Sequence, residues 1–118
     1  MVALGLDALR GRVPEGVVRA LEEFLERLAE ALDGDFEAYL FGSFARGDWL
    51  RDSDIDVIVV SRRLRGVPWH ERYPMLRRLA PDTHSFDILA YTPEEFEELA
   101  RRSATLASAA RHWVRIYP

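Results

Sequence analysis

The chain of 118 residues contains no cysteine, and equally no lysine, asparagine or glutamine. Without thiols it forms neither disulfides nor thiolate zinc sites, which fits a reducing cytoplasm. Without lysine, every cationic side chain apart from three histidines is an arginine. Loss of the thermolabile amides and thiols is a tendency of heat-adapted proteins, and GC-rich codon usage leaves the same mark. No apolar run approaches the ~20 residues that cross a bilayer. The opening MVALGLDALRGR lacks the basic start, apolar run and small-residue cleavage site of an export signal. The expectation is a cytoplasmic chain with no membrane contact. A formal charge of -4 argues against a general nucleic-acid coat, so no direct nucleic-acid binding is expected. His70, His84 and His112 are scattered without metal-ligand spacing.

What is present is ordinary globular material. The chain is 48% hydrophobic, too much for disorder. Its length suits one domain able to bury a core without staples. We expect a single domain over residues 1–118, with 1–13 as an N-terminal lead-in carrying Leu4, Leu6 and Leu9. No repeat, low-complexity tract or linker interrupts it.

Pro14 is favoured at a first helical position, and Val17, Val18, Leu21, Phe24, Leu25, Leu28 and Leu32 follow at the spacing of one buried face. Arg19, Glu23 and Arg27 stand four apart on the opposite side. Gly34 then suits a helix stop. Residues 36–41 are short and aromatic and predict a strand. Residues 55–60, a branched apolar run, predict a second strand, and 85–91 a third. Residues 68–79 predict a helix with Trp69, Tyr73, Met75, Leu76 and Leu79 as its apolar positions. Thr92-Pro93-Glu94-Glu95 spells a capping box for a helix through Phe96, Leu99 and Ala100. A further helical piece holds Leu106, Ala107 and Ala110, and 113–117 predict a last short strand. Strands alternating with helices give an α/β or α+β fold, a sheet with helices packed on it.

The chemistry concentrates in Phe41-Gly42-Ser43-Phe44-Ala45-Arg46-Gly47 and Ser53-Asp54-Ile55-Asp56-Val57. Strand residues i and i+2 share a face, so Asp54 and Asp56 project together while Ile55 and Val57 face the core. Asp87 lies in the next predicted strand and reaches the pair if the two strands are neighbours. Two unit charges ~6 Å apart repel by roughly 3 kcal/mol at an effective dielectric of 20. A divalent cation offsets this, and Mg²⁺ takes oxygen ligands and bridges carboxylates to phosphates. Gly42 permits close backbone approach. Ser43 offers a hydroxyl and an N–H to a phosphate oxygen, and Arg46 a charge-assisted contact. Taken singly these features are bland: Gly-Ser a turn, Asp-x-Asp a solvated turn or helix start, Asp87 an edge charge that blocks aggregation. Their order along the chain is what points to a site.

The run GSFARG…SDIDVIVV resembles the active-site motif of the DNA polymerase beta-like nucleotidyltransferase superfamily, and within it the small "minimal nucleotidyltransferase" branch. The hydrophobic-Gly-Ser element stands at Phe41-Gly42-Ser43 and the Asp-x-Asp element at Asp54-Ile55-Asp56. Arg46, Gly47 and Ser53 also match, and the third carboxylate falls on Asp87. The likeness spans roughly residues 20 to 117. It implies a short mixed sheet with helices, Mg²⁺ held by Asp54, Asp56 and Asp87, and nucleotide contacts from Gly42, Ser43, Arg46 and Ser53. It implies transfer of a nucleoside monophosphate, AMP from ATP foremost, with Asp87 beside the acceptor hydroxyl. Small relatives are often paired with a helical HEPN-domain protein in toxin–antitoxin modules, and some adenylylate that partner. The expected acceptor is therefore a tyrosine of a HEPN-type toxin, with this chain as antitoxin. The alternatives are an aminoglycoside-like small-molecule acceptor, with a homo-oligomer conceivable, or a non-catalytic module that neutralises by contact. Larger relatives append an acceptor-binding domain, for which 118 residues leave no room.

Other residues are set apart. His84, three before Asp87, either reaches the site or is a satisfied histidine. Trp49 either stacks on a base or packs. Arg62, Arg63 and Arg65 form either a solvated loop or an acidic partner's contact.

Overall fold

The structure is a computed structural model, and it describes residues 4–118. Residues 1–3 of the expected lead-in lie outside the described residues. The remainder of that lead-in forms a 3-10 helix at Leu4–Leu9, with Leu6 and Leu9 buried.

Helix α1 spans Glu15–Ala31 and buries the apolar face read from its spacing: Val17, Val18, Leu21, Phe24, Leu25 and Leu28. Pro14 sits one position earlier than expected, as the N-cap, where its carbonyl accepts from the N–H groups of Val17 and Val18. The helix ends as Asp33 and Gly34 turn left-handed, and the Gly34 N–H returns to the Ala29 carbonyl at 2.8 Å. That is the glycine-type closure the sequence suggested. Glu23 and Arg27 pair at 3.3 Å.

Four strands form one mixed sheet: β1 Glu37–Phe41, β2 Ile55–Val60, β3 Phe86–Tyr91 and β4 Val114–Tyr117, in the order β3-β2-β1-β4. β1 pairs antiparallel with both β2 and β4, while β2 and β3 run parallel. A parallel pair requires a crossover. Helix α3, Trp69–Arg77, supplies it between β2 and β3, after the five-residue helix α2 at Gly42–Arg46. The α+β expectation, a short mixed sheet with helices packed on it, therefore holds.

The strands bury both faces. Leu40, Ile55, Val57, Val59, Phe86, Ile88 and Ile116 join α1 in the larger core. Tyr39, Ile58, Val60 and Tyr91 look the other way, into a smaller aromatic cluster with Phe96 and Trp113. Helices α4, Pro93–Arg102, and α5, Ala104–Ala110, contribute Phe96, Leu99 and Leu106 to that cluster. The capping box at the start of α4 forms in full, with Thr92 and Glu95 exchanging bonds of 2.8 and 3.2 Å.

Helix α3 departs from its expected face. Leu76 is buried as expected, but Trp69 and Tyr73 are 58% and 45% exposed, whereas Arg72 is only 6% exposed. Hydropathy places an arginine outside; here specific partners bring it in. Its guanidinium donates to Glu95 at 2.5 and 3.2 Å and to the carbonyls of Val67 and Ala90 at 3.1 and 3.2 Å. Trp69 lies over it at 4.9 Å, and Tyr73 donates to the Phe86 carbonyl at 3.2 Å.

A buried charge left without its partner is costly. Because Glu95 is part-exposed, Arg72→Leu should cost about 2–3 kcal/mol in urea unfolding at neutral pH. Arg72 holds the Glu95 carboxyl below the ordinary value near 4.5. A depressed carboxylate contributes stability above its unfolded pKa and loses it as pH falls through the folded one. The cost of Arg72→Leu should therefore shrink in acid below pH ~4.5; a pH-independent cost would contradict the pairing.

Candidate active site

β1 delivers Phe41 opposite Asp56 in the antiparallel register, and the chain turns at once into α2. Gly42 opens that turn at φ +73°, and a Cβ there would lie 2.0 Å from Asp56 Oδ2. Only glycine fits, on conformation and on space alike. Ser43 follows in the first turn of α2 and Arg46 closes it, with Gly47 as a left-handed cap at φ 93°. Arg46 Nε donates to Asp48 at 3.2 Å.

The loop that returns to β2 is held at two points. Trp49 stacks on Phe44 at 5.7 Å and donates to the Arg12 carbonyl at 3.3 Å, so its role is packing. Ser53 Oγ accepts the Leu50 N–H at 2.8 Å, which turns its hydroxyl to the loop's own backbone. Asp54 is exposed just ahead of β2, and Asp56 is half-buried within it. The parallel register sets Asp87 directly beside Asp56. Ile55 and Val57 are fully buried on the opposite face, as the period of two requires. β3 is also an edge strand, so an exposed Asp87 protects that edge as well.

Charge accumulates at Asp56. Burial, then the Asp87 carboxylate, then that of Asp54 push its pKa up to about 6, with Arg46 opposing them. The donors are all carboxylate oxygens, the set a hard divalent ion prefers. Among the described residues, however, no group of three or more acidic, histidine or cysteine side chains stands ready to hold a metal. The three acids share one end of the sheet without closing a cage.

A cleft of about 580 Å³ opens over this point. One wall consists of Phe41, Gly42, Ser43, Arg46 and Asp56; the other comprises Ala104, Thr105, Ser108, Ala109 and His112. The structure thus brings Gly42, Ser43, Arg46 and Asp56 together, with Asp54 and Asp87 acting on Asp56 from beside it. Ser53 is not on the lining. The second wall was not read from the sequence. The spacing of Thr105, Ser108 and His112 is visible there, but no local signal says that α5 lies across from the glycine turn.

The remaining candidates fall elsewhere. His84 lies in a separate groove with Arg19, Arg27, Arg77 and Arg78. Arg62 and Arg63 pair within the chain with Asp35 and Asp33, and Arg65 with Glu94.

The family model described as "Nucleotidyltransferase domain" matches residues 19–113. A crystal structure from Sulfolobus solfataricus, provisionally described as a nucleotidyltransferase, is 30% identical with a TM-score of 0.57. That match covers 71% of this chain and 77% of the other. A second structure with the same provisional description shares 24% identity and a TM-score of 0.58, over 81% and 96% of the two chains; it bears on the fold alone. No curated protein matches significantly. The chain belongs to the nucleotidyltransferase domain family, of the DNA polymerase beta-like class, and nucleotidyl transfer is the activity that membership assigns. Such domains act on nucleoside triphosphates and generally use a divalent metal. No helix among the described residues is long and apolar enough to cross a membrane.

In metal-free buffer the Asp56 carboxyl should titrate near 6 by NMR, and lower once Asp87→Asn removes a neighbouring charge. A carboxylate raised above its unfolded value contributes stability at low pH and loses it as pH rises through the folded pKa. Between about 4 and 6 this group should therefore destabilise the fold as pH rises. Asp56→Asn should raise the melting temperature at pH 7, and a lower one would contradict the charge crowding.

Proposed function

We propose that this chain is a single-domain, Mg²⁺-dependent nucleotidyltransferase that moves AMP from ATP to a protein hydroxyl, a tyrosine of a HEPN-type toxin, with release of pyrophosphate, and so acts as its antitoxin. The observation that carries the transfer reading is the half-buried Asp56 beneath the Gly42-Ser43 turn, in one cleft with Arg46 and beside Asp54 and Asp87. Asp54, Asp56 and Asp87 would hold the metal, which when bound supplies charge stabilisation to a phosphoryl displacement. The N–H groups of Gly42 and Ser43 and the Ser43 hydroxyl receive phosphate oxygens, and Arg46 neutralises part of the triphosphate. Ser53 supports the nucleotide indirectly, by fixing the loop that presents Asp54. Asp87, at the edge of the sheet, would accept the proton of an incoming hydroxyl.

The protein acceptor rests on the family resemblance alone.

Calorimetric titration of Mg·ATP tests the site. Wild type should bind only with Mg²⁺, and Asp54→Asn/Asp56→Asn should abolish the heat. Silence of wild type toward Mg·ATP, GTP, CTP and UTP would sink the reading. Coexpression with a HEPN-type partner tests the acceptor: the partner should gain one AMP per modified tyrosine, by intact mass. Neutralisation that survives in the double mutant would instead establish a contact-only antitoxin.

A further inference from the structure

The two walls of the cleft differ in chemistry. The first is charged, with Arg46 and Asp56 around the glycine turn. The second carries no carboxylate and no arginine: its lining is two hydroxyls, one imidazole and two alanine methyls, from Thr105, Ser108, His112, Ala104 and Ala109. A nucleoside triphosphate has the same polarity, a polyanionic tail joined to a neutral head whose flat base and ribose hydroxyls both donate and accept hydrogen bonds. At about 580 Å³ the space lies within the ~300–1,000 Å³ typical of small-molecule sites.

The hydroxyls on this wall are unoccupied. Those of Ser53, Ser61, Thr92 and Ser103 accept backbone N–H groups. Thr105, Ser108 and His112 make no side-chain hydrogen bond among the described residues and are exposed. The wall is nonetheless fixed in place. Leu106, 2% exposed, anchors α5 in the aromatic cluster, and Trp113 packs on Tyr39 at 4.9 Å and on Phe96 at 5.7 Å. A wall anchored by Leu106 and Trp113, with free polar groups, needs little reorganisation to receive a ligand.

We propose that α5 and the residues after it form the nucleoside wall of the site, where Thr105, Ser108 and His112 contact ribose and base while Ser43 and Arg46 take the phosphates. This rests on the nucleotidyl-transfer reading and adds to it the element that recognises the nucleoside. Hydroxyl and imidazole groups both donate and accept, so they satisfy ribose hydroxyls without fixing one base.

Inorganic tripolyphosphate separates the two walls, since it carries the tail without the head. Wild type and Thr105→Ala/Ser108→Ala/His112→Ala would be titrated with Mg·ATP and with Mg·tripolyphosphate, and thermal melting would confirm the fold. The variant should bind Mg·ATP at least about tenfold more weakly, the loss of one or two hydrogen bonds, with tripolyphosphate affinity unchanged. Ala104→Trp, which narrows the cleft from the same wall, should repeat that pattern. Equal ATP affinity in variant and wild type would overturn the assignment, as would a parallel loss of both ligands. Failure of wild type to bind either ligand would overturn the transfer reading itself, and the assignment with it.

Discussion

The repulsion among carboxylates at one end of the sheet is the constraint around which the rest of the structure is arranged. Burial and then the neighbouring carboxylates of Asp87 and Asp54 push the Asp56 pKa up to about 6, and Asp56 bears that cost while half-buried. Three features keep it there. The parallel β2–β3 register fixes Asp87 beside Asp56. The antiparallel β1–β2 register brings Phe41, and so the glycine turn, over the same residue. Gly42 leaves the space a methyl group would take. None of these adapts readily, because β1, β2 and β3 each send residues into the main core.

That core makes the strain tolerable. The period of two sends Ile55 and Val57 into fully buried positions while Asp54 and Asp56 point away. Burying such a side chain stabilises by about 1.5–3 kcal/mol, so Ile55 and Val57 anchor the strand that carries the crowded acids. One short strand therefore serves both purposes, anchoring the fold on one side and concentrating charge on the other.

How much of this could be read beforehand depended on range. The buried face of α1, the capping box at Thr92 and Glu95, and the glycine turn rest on rules spanning a few residues, and each appears where its spacing put it. Element ends moved by a residue or two, as with β1 beginning at Glu37 and α3 ending at Arg77. The Asp54–Asp56 projection followed from strand periodicity, whereas Asp87's place depended on β2 and β3 being neighbours. The misreading of α3 came from a partner far along the chain: Arg72 is buried because Glu95 lies across from it, and local hydropathy carries no trace of that. The second wall of the cleft was illegible for the same reason, since it is tertiary packing that sets α5 opposite the glycine turn.

The distribution of arginine argues that the crowding is a feature of use rather than an accident of packing. At the opposite end of β2 and β3, and just beyond it, acids and arginines are matched: Arg62 with Asp35, Arg65 with Glu94, Arg72 with Glu95. Among the described residues only Arg46 offers Asp56 relief, and it is also engaged by Asp48. Among the described residues Asp54, Asp56 and Asp87 enter no salt bridge. A chain whose strongly cationic side chains are all arginine, and which places several of them against carboxylates elsewhere, leaves these three acids without that compensation. Unpaired carboxylates in mutual repulsion raise the affinity of their surroundings for a small cation, and a cation held there attracts phosphate in turn. The charge missing from the protein is the charge its ligand would bring.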